Sequence, residues 1–215
     1  MPSRLHRNEN NNNHQEKETF MKKDVYEEGA GTATAHRSRG ASDSRSSRPS
    51  PDREEMIKRA QAAGTPGPAH EALAAFEGNW KAEVKCWMEP GGEPNVSQAT
   101  SKAHWIFGRR FLEEEFHGEM MGKPFTGRCL LGFDNTKQKF SSVWIDDMST
   151  AVFASEGKGE NGNKVITLEG KASCAATGQT DVPMKQIFRV ISSDKHVLEM
   201  YRDGRKSMEI TYSRK

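Results

Sequence analysis

Lys123 to Asp147, KPFTGRCLLGFDNTKQKFSSVWIDD, restricts this chain more than any other stretch. Two apolar-rich runs, Phe125 to Phe133 and Phe140 to Ile145, flank a polar turn, Asp134-Asn135-Thr136-Lys137-Gln138-Lys139. Asp, Asn and Thr side chains bond nearby backbone and favour tight turns. Phe, Val, Ile and Trp fit a pleated, half-buried surface. The stretch reads as a long antiparallel hairpin. With Thr136-Lys137 at the turn centre, Phe133 faces Phe140, Leu131 faces Ser142 and Cys129 faces Trp144 on one side of the sheet. Leu130, Val143 and Ile145 share the other side. A lone hairpin is marginal in water, so further strands must close its core.

The rest of the chain supplies them. From Trp80 onward the hydrophobic period is two, and ten strands are predicted: Trp80–Met88, Ser97–Phe107, Arg110–Glu119, Phe125–Phe133, Gln138–Asp146, Thr150–Lys158, Lys164–Ala172, Met184–Ser192, His196–Arg202 and Arg205–Ser213. Asn161-Gly162 and Asp203-Gly204 are strong hairpin signals. Pro90-Gly91-Gly92, Gly108-Arg109 and Gly122-Lys123-Pro124 separate other strands. No long helical pattern interrupts them, which argues against parallel crossovers. Ten meandering strands predict an all-β fold, an antiparallel up-and-down barrel without exposed edges.

Ahead of this region the composition changes. Residues 1–64 read as a disordered Asn/Ser/Arg-rich tail, with Asn10 to Asn13 and Ser38 to Arg53 offering little to bury. A short helix is expected over 52–63, with Asp52 as N-cap. Gly64-Thr65-Pro66-Gly67-Pro68 then breaks the chain. The barrel domain is expected over 69–215, opening on one or two helical turns at His70 to Phe76. Residues 70–215 carry 20 Lys+Arg against 20 Asp+Glu, a neutral balance that offers nucleic acid no footprint. No apolar run approaches the roughly 18 residues of a membrane span, and no apolar segment marks a secretory signal. Cys86, Cys129 and Cys174 are odd in number and widely spaced, neither a disulfide framework nor a zinc pattern. Reduced thiols and a cytoplasmic location are the expectation.

Gly78-Asn79-Trp80, after a short helix and opening the first strand, resembles the Gly-x-Trp signature of lipocalins and their calycin relatives. In those barrels an Arg near the end of the last strand packs across the Trp, and Arg214 stands at that position. The chain more closely resembles a mainly bacterial family known as a domain of unknown function and grouped with calycin-like barrels. The matching pieces are His70 to Trp80, Gly108-Arg109-Arg110-Phe111-Leu112, Pro124-Phe125-x-Gly127, Leu131-Gly132-Phe133-Asp134, Trp144-Ile145-Asp146 and Tyr212-Ser213-Arg214. The resemblance implies a calycin-like barrel with Gly78, Trp80 and Arg214 as a structural signature. It implies no activity.

Arg110 to Glu119, RFLEEEFHGE, is the polar strand with most to explain. Alternation puts Arg110, Leu112, Glu114 and Phe116 on one face. If Leu112 and Phe116 point inward, Arg110 and Glu114 enter the lumen. There they form either a core ion pair or a ligand anchor, because a buried charge without a partner is costly. Glu115, His117 and Glu119 fall on the other face and read as solvated. Asp146-Asp147 reads as a turn. No catalytic constellation, metal set or cofactor motif is visible.

Three functional readings follow. The leading one is a non-catalytic binding module for a small apolar ligand in the lumen. Phe133, Phe140, Trp144, Met200 and Met208 would line it, and Arg110 or Glu114 would orient a polar end. The second is a structural or interaction protein with a filled core and a homodimer surface at Leu130, Val143 and Ile145. The third is a haem-binding or enzymatic barrel using His104, His117 or His196. No nucleic-acid or membrane partner is expected.

Overall fold

The structure, a computed structural model, describes residues 52–89, 91–174 and 177–215. Of the tail expected over 1–64, residues 1–51 lie outside the described residues.

Helix α1 spans Arg53–Ala63. Asp52 caps it by accepting a hydrogen bond from the Glu55 amide at 2.8 Å. The helix buries no residue, so its cap and its good helix formers carry it rather than packing. After the Gly-Pro break, α2 (Pro68–Ala72) and a 3-10 turn (Leu73–Phe76) bring Leu73 and Phe76 into the core.

Ten strands follow: β1 Gly78–Cys86, β2 Asn95–Ile106, β3 Phe111–Met120, β4 Lys123–Asp134, β5 Lys139–Asp146, β6 Phe153–Glu160, β7 Val165–Cys174, β8 Gln179–Ser192, β9 Lys195–Arg202 and β10 Arg205–Arg214. Each is antiparallel to its sequence neighbours, and β10 returns to pair with β1, closing the barrel. The expected hairpin register holds: Phe133 opposes Phe140, Leu131 opposes Ser142 and Cys129 opposes Trp144. Alternation holds along most of the wall, although β8 buries Gln186, Ile187 and Phe188 in succession. On β3, for example, Leu112 and Phe116 are buried between more open neighbours.

Most strand ends shift by one to three residues from the sequence reading, and two of the differences have clear local reasons. Phe107, Gly108 and Arg109 all adopt positive φ, at 48°, 64° and 65°. The β2–β3 turn is therefore longer, and β3 starts at Phe111, leaving Arg110 in the turn. At the other difference, β8 begins at Gln179 and runs through Pro183. The Pro183 carbonyl accepts from the Asp203 amide at 2.8 Å, so its nitrogen faces the same side, just where β9 has ended at Arg202. No strand partner is waiting there for the N–H that proline lacks.

Candidate functional site

The barrel end that carries α2 is sealed by a layered contact. Trp80 is 1% exposed and donates from Nε1 to the Phe76 carbonyl at 2.9 Å. The Arg214 guanidinium lies over its ring, 4.2 Å from the centroid. Arg214 also donates to the carbonyls of Ser193 and Glu77 and pairs with Asp194. Closure of β1 on β10 places these residues opposite one another. Gly78 is needed here twice over: its φ is +128°, and a Cβ would stand 2.5 Å from Arg214 Nη1.

Beneath this seal lies a lumen cavity of about 20 Å³. Its lining is Phe76, Ala103, Leu112, Glu114, Cys129, Leu131, Phe188, His196 and Tyr212. A water needs about 10–15 Å³ measured in this way, so the closed cavity holds one small group. Glu114 enters from β3, beside Ala103 of β2 and Cys129 of β4. Ser101 Oγ donates to its carboxylate at 2.5 Å, and the Tyr212 hydroxyl reaches it from β10. Glu114 as a residue keeps some accessible surface, yet its carboxyl sits among these interior groups. Burial raises its pKa, and the Ser101 and Tyr212 hydrogen bonds pull the other way. Burial also holds the Cys129 thiol and Tyr212 phenol in their neutral forms, with the Glu114 charge adding to both shifts.

His196 of β9 opposes Tyr212 of β10. Their rings stack, with centroids 4.2 Å apart and an interplanar angle of 17°. Phe76 and Trp80 meet the imidazole edge-on at 5.1 and 4.4 Å. The residue is 5% exposed, and burial, helped by the Arg214 charge, lowers its pKa to about 3. Among the described residues, His196 Nδ1 is the one buried side-chain nitrogen or oxygen without a hydrogen-bond partner.

A second polar cluster occupies another stretch of wall. Ser142 and Ser155 lie 2.9 Å apart, and each is within donating reach of Gln186 Oε1, at 3.1 and 2.9 Å. Two hydroxyl protons there serve three oxygens.

The residues singled out from sequence are not gathered in one place. Glu114 lines the cavity. Arg110 does not join it; it is exposed in the β2–β3 turn and donates to the Phe107 carbonyl at 2.9 Å. The expected Arg110–Glu114 pair is therefore replaced by Glu114 with Ser101 and Tyr212, because the left-handed turn takes Arg110 out of the strand. Phe133 and Phe140 floor a surface groove beside α2, with Lys158 and Asn163 on its rim. Trp144, Met200 and Met208 pack, partly buried, against the core outside the cavity. Trp144 covers Gly127, where a Cβ would collide with the indole. Its Nε1 donates to Asp146, whose other oxygen accepts from the Met148 and Ser149 amides in the following turn.

His104 and His117 face outward, in contact with Glu113 and Glu115 at 3.5 and 3.1 Å, and so cannot serve a lumen ligand. His196 does face the lumen. Pockets for drug-sized ligands run to about 300–1,000 Å³, and a macrocycle does not fit the closed cavity beside it. Among the described residues no group of three or more His, Cys, Asp or Glu could hold a metal ion. No described helix is long and apolar enough to cross a membrane.

Sequence reasoning passed over Tyr212, Phe76, Phe188 and Cys129 as lining and did not bring His196 and Glu114 to one cavity. One signal was available. With Met200 facing inward, the two-residue period carries Leu198 and His196 inward with it.

The profile of a family described as "Protein of unknown function (DUF1579)" matches residues 65–214. No curated protein matches the chain. Among solved structures, Rv2717c from M. tuberculosis is similar at 16% identity and a TM-score of 0.54, over 70% of this chain and 99% of that one. That likeness shows a shared fold. A redesigned beta barrel matches at 10% identity over 67% of this chain and 95% of its own, with a TM-score of 0.37.

Proposed function

This chain belongs to that family of unknown function, and we propose that it is a non-catalytic binding module which takes a small, largely apolar ligand into the lumen against Glu114, His196 and Tyr212. The observation that carries the reading is the His196 ring, buried on a cavity wall with Nδ1 left unpartnered. An orphaned buried nitrogen costs about 1–3 kcal/mol, and an apolar side chain there would avoid that cost. The cavity admits one small group, so a longer tail must displace Phe76 from its lining position. The short segment that carries Phe76 also carries Glu77, which is anchored to the wall through Trp105 Nε1 at 3.0 Å. The Trp80–Arg214 contact supports the calycin-like kinship, and three cysteines that form no disulfide among the described residues support a reducing, cytoplasmic setting.

The test is a titration of the full-length protein with small apolar probes, 1-butanol, benzene and indole, followed through methyl resonances. Saturable shifts at Leu112 and Leu131, with none at Val143 or Ile145, are expected. Phe76→Ala should enlarge the cavity and tighten binding. If no probe perturbs the lumen methyls even in Phe76→Ala, the reading is wrong.

A second reading has its own observation. Val143 and Ile145 are 37% and 46% exposed on the outer wall, beside a half-buried Leu130. They would form the homodimer face of an interaction protein with a filled core. Sedimentation equilibrium of wild type and Val143→Lys tests it: a dimer that dissociates in the variant supports this reading, and a wild-type monomer removes it.

A further inference from the structure

We propose that the polar end of the lumen ligand is a small organic ammonium group, seated between the Glu114 carboxylate and the His196 ring. This rests on the lumen reading above and specifies its ligand.

The cavity is rich in acceptors and has no cation. Its lining contains no Lys or Arg. A carboxylate has about four lone-pair sites, and Ser101 and Tyr212 engage it through two hydroxyls without supplying a countercharge. No ion pair to Glu114 is formed among the described residues, and burial without one favours the protonated form, so a cationic partner would draw it into the carboxylate form. The other groups facing it are neutral: Cys129 from β4, Tyr212 from β10 and His196 from β9. The basic group acting on His196 is Arg214. Its guanidinium lies over Trp80 and is committed to the Ser193 and Glu77 carbonyls and to Asp194.

An ammonium head answers each feature. It brings the missing positive charge to Glu114. It has only donors, and a neutral imidazole offers an acceptor nitrogen. Its size is close to that of the single water the closed cavity admits. Phe76, Phe188 and Tyr212 bring aromatic rings to the walls, and such rings attract cations, more strongly when desolvated. A carboxylate head would meet Glu114 as a like charge. An alcohol could donate one hydrogen bond but would leave the charge uncompensated.

The experiment uses the full-length chain and three isosteric series, n-alkylamines, n-alkanols and n-alkanoates of one to four carbons, read by calorimetric titration and by thermal shift. Amines are expected to bind at least tenfold more tightly than alcohols of equal length, with alkanoates weakest. Glu114→Gln should erase the amine preference, so that amines and alcohols of equal length bind alike. His196→Phe should weaken amine binding while the protein stays folded, which keeps the test decisive if Glu114→Gln does not fold. Gln186→Leu, outside the site, should keep the preference. Alcohols binding as well as amines in wild type, with no change in either site variant, would overturn the ammonium assignment and leave the lumen reading standing. Binding of no series, even to Phe76→Ala, would overturn both.

Discussion

The lumen holds two buried polar clusters, and they are built on opposite terms. On β5, β6 and β8, Ser142, Ser155 and Gln186 use each other's donors and acceptors in a closed set. On β3, β9 and β10, Glu114, His196 and Tyr212 leave a carboxylate without a cation and a ring nitrogen without a partner. The first cluster behaves as core, since a polar group buried with its partners costs little. The second carries an expense that the fold itself does not recover, and it borders the cavity. Burial alone does not separate structural polarity from a binding site; the count of partners does.

The comparison can be tested most severely from outside the second cluster. If that cluster is held by the seal at the barrel end rather than by its own bonds, Trp80→Ala should cost about 3–5 kcal/mol, as for other buried aromatic truncations. Arg214→Ala should also destabilise, and the two losses should not add, because the side chains are in contact. Chemical denaturation of both single variants and the double variant gives the coupling. Additive losses would mean that the cation–π contact contributes nothing.

Breaking the closed set should have the next largest effect. Gln186→Leu removes the shared acceptor and should cost about 1–3 kcal/mol for the hydroxyl left without a partner. Denaturation midpoints measure it. A neutral outcome would show that Ser142 and Ser155 suffice for each other.

Acid should act through the open set. An unfolded His196 gains a proton below about pH 6.5, whereas the folded ring, with its pKa lowered to about 3, stays neutral. The unfolded state then binds more protons, so stability falls as pH drops from about 6.5 toward 3, by up to about 1.4 kcal/mol per unit. Glu114 opposes this. Its folded pKa is raised above 4.5, so its contribution is complete below that value and is lost as pH rises through the folded pKa. Stability measured at pH 7 and pH 5 should therefore drop less steeply in His196→Phe and more steeply in Glu114→Gln than in wild type. Parallel pH profiles in all three proteins would contradict this assignment of charge states.

The smallest effect is the most discriminating in sign. His196→Phe at pH 7 removes the unpartnered nitrogen while keeping an aromatic in the stack. It should be neutral or stabilising by up to about 1 kcal/mol, opposite to Gln186→Leu. A clear loss in thermal unfolding would place His196 with the structural residues.

Much of the fold was legible because its signals are local. Period-two alternation from Trp80 onward, with Asn161-Gly162 and Asp203-Gly204 as turns, determined ten strands and their pairing in meander order. Phe133 opposite Phe140 could be read directly, because a turn and a two-residue period set register without reference to the rest of the molecule. Arg110 shows where local reasoning failed. Three successive left-handed residues lengthened its turn, and Phe107 and Arg109 are not residue types that announce such a backbone.

The site depended on tertiary structure for a different reason. Glu114 and Tyr212 lie far apart in sequence, on strands separated by two others, and they meet because the barrel closes on itself and its curvature turns one wall toward another. Phe76 reaches the same cavity from a segment outside the barrel. Alternation states that each of these side chains is inside. Which of them meet across the lumen, and which nitrogen is left without a partner, is decided by the closure and stagger of all ten strands together, which no local pattern encodes.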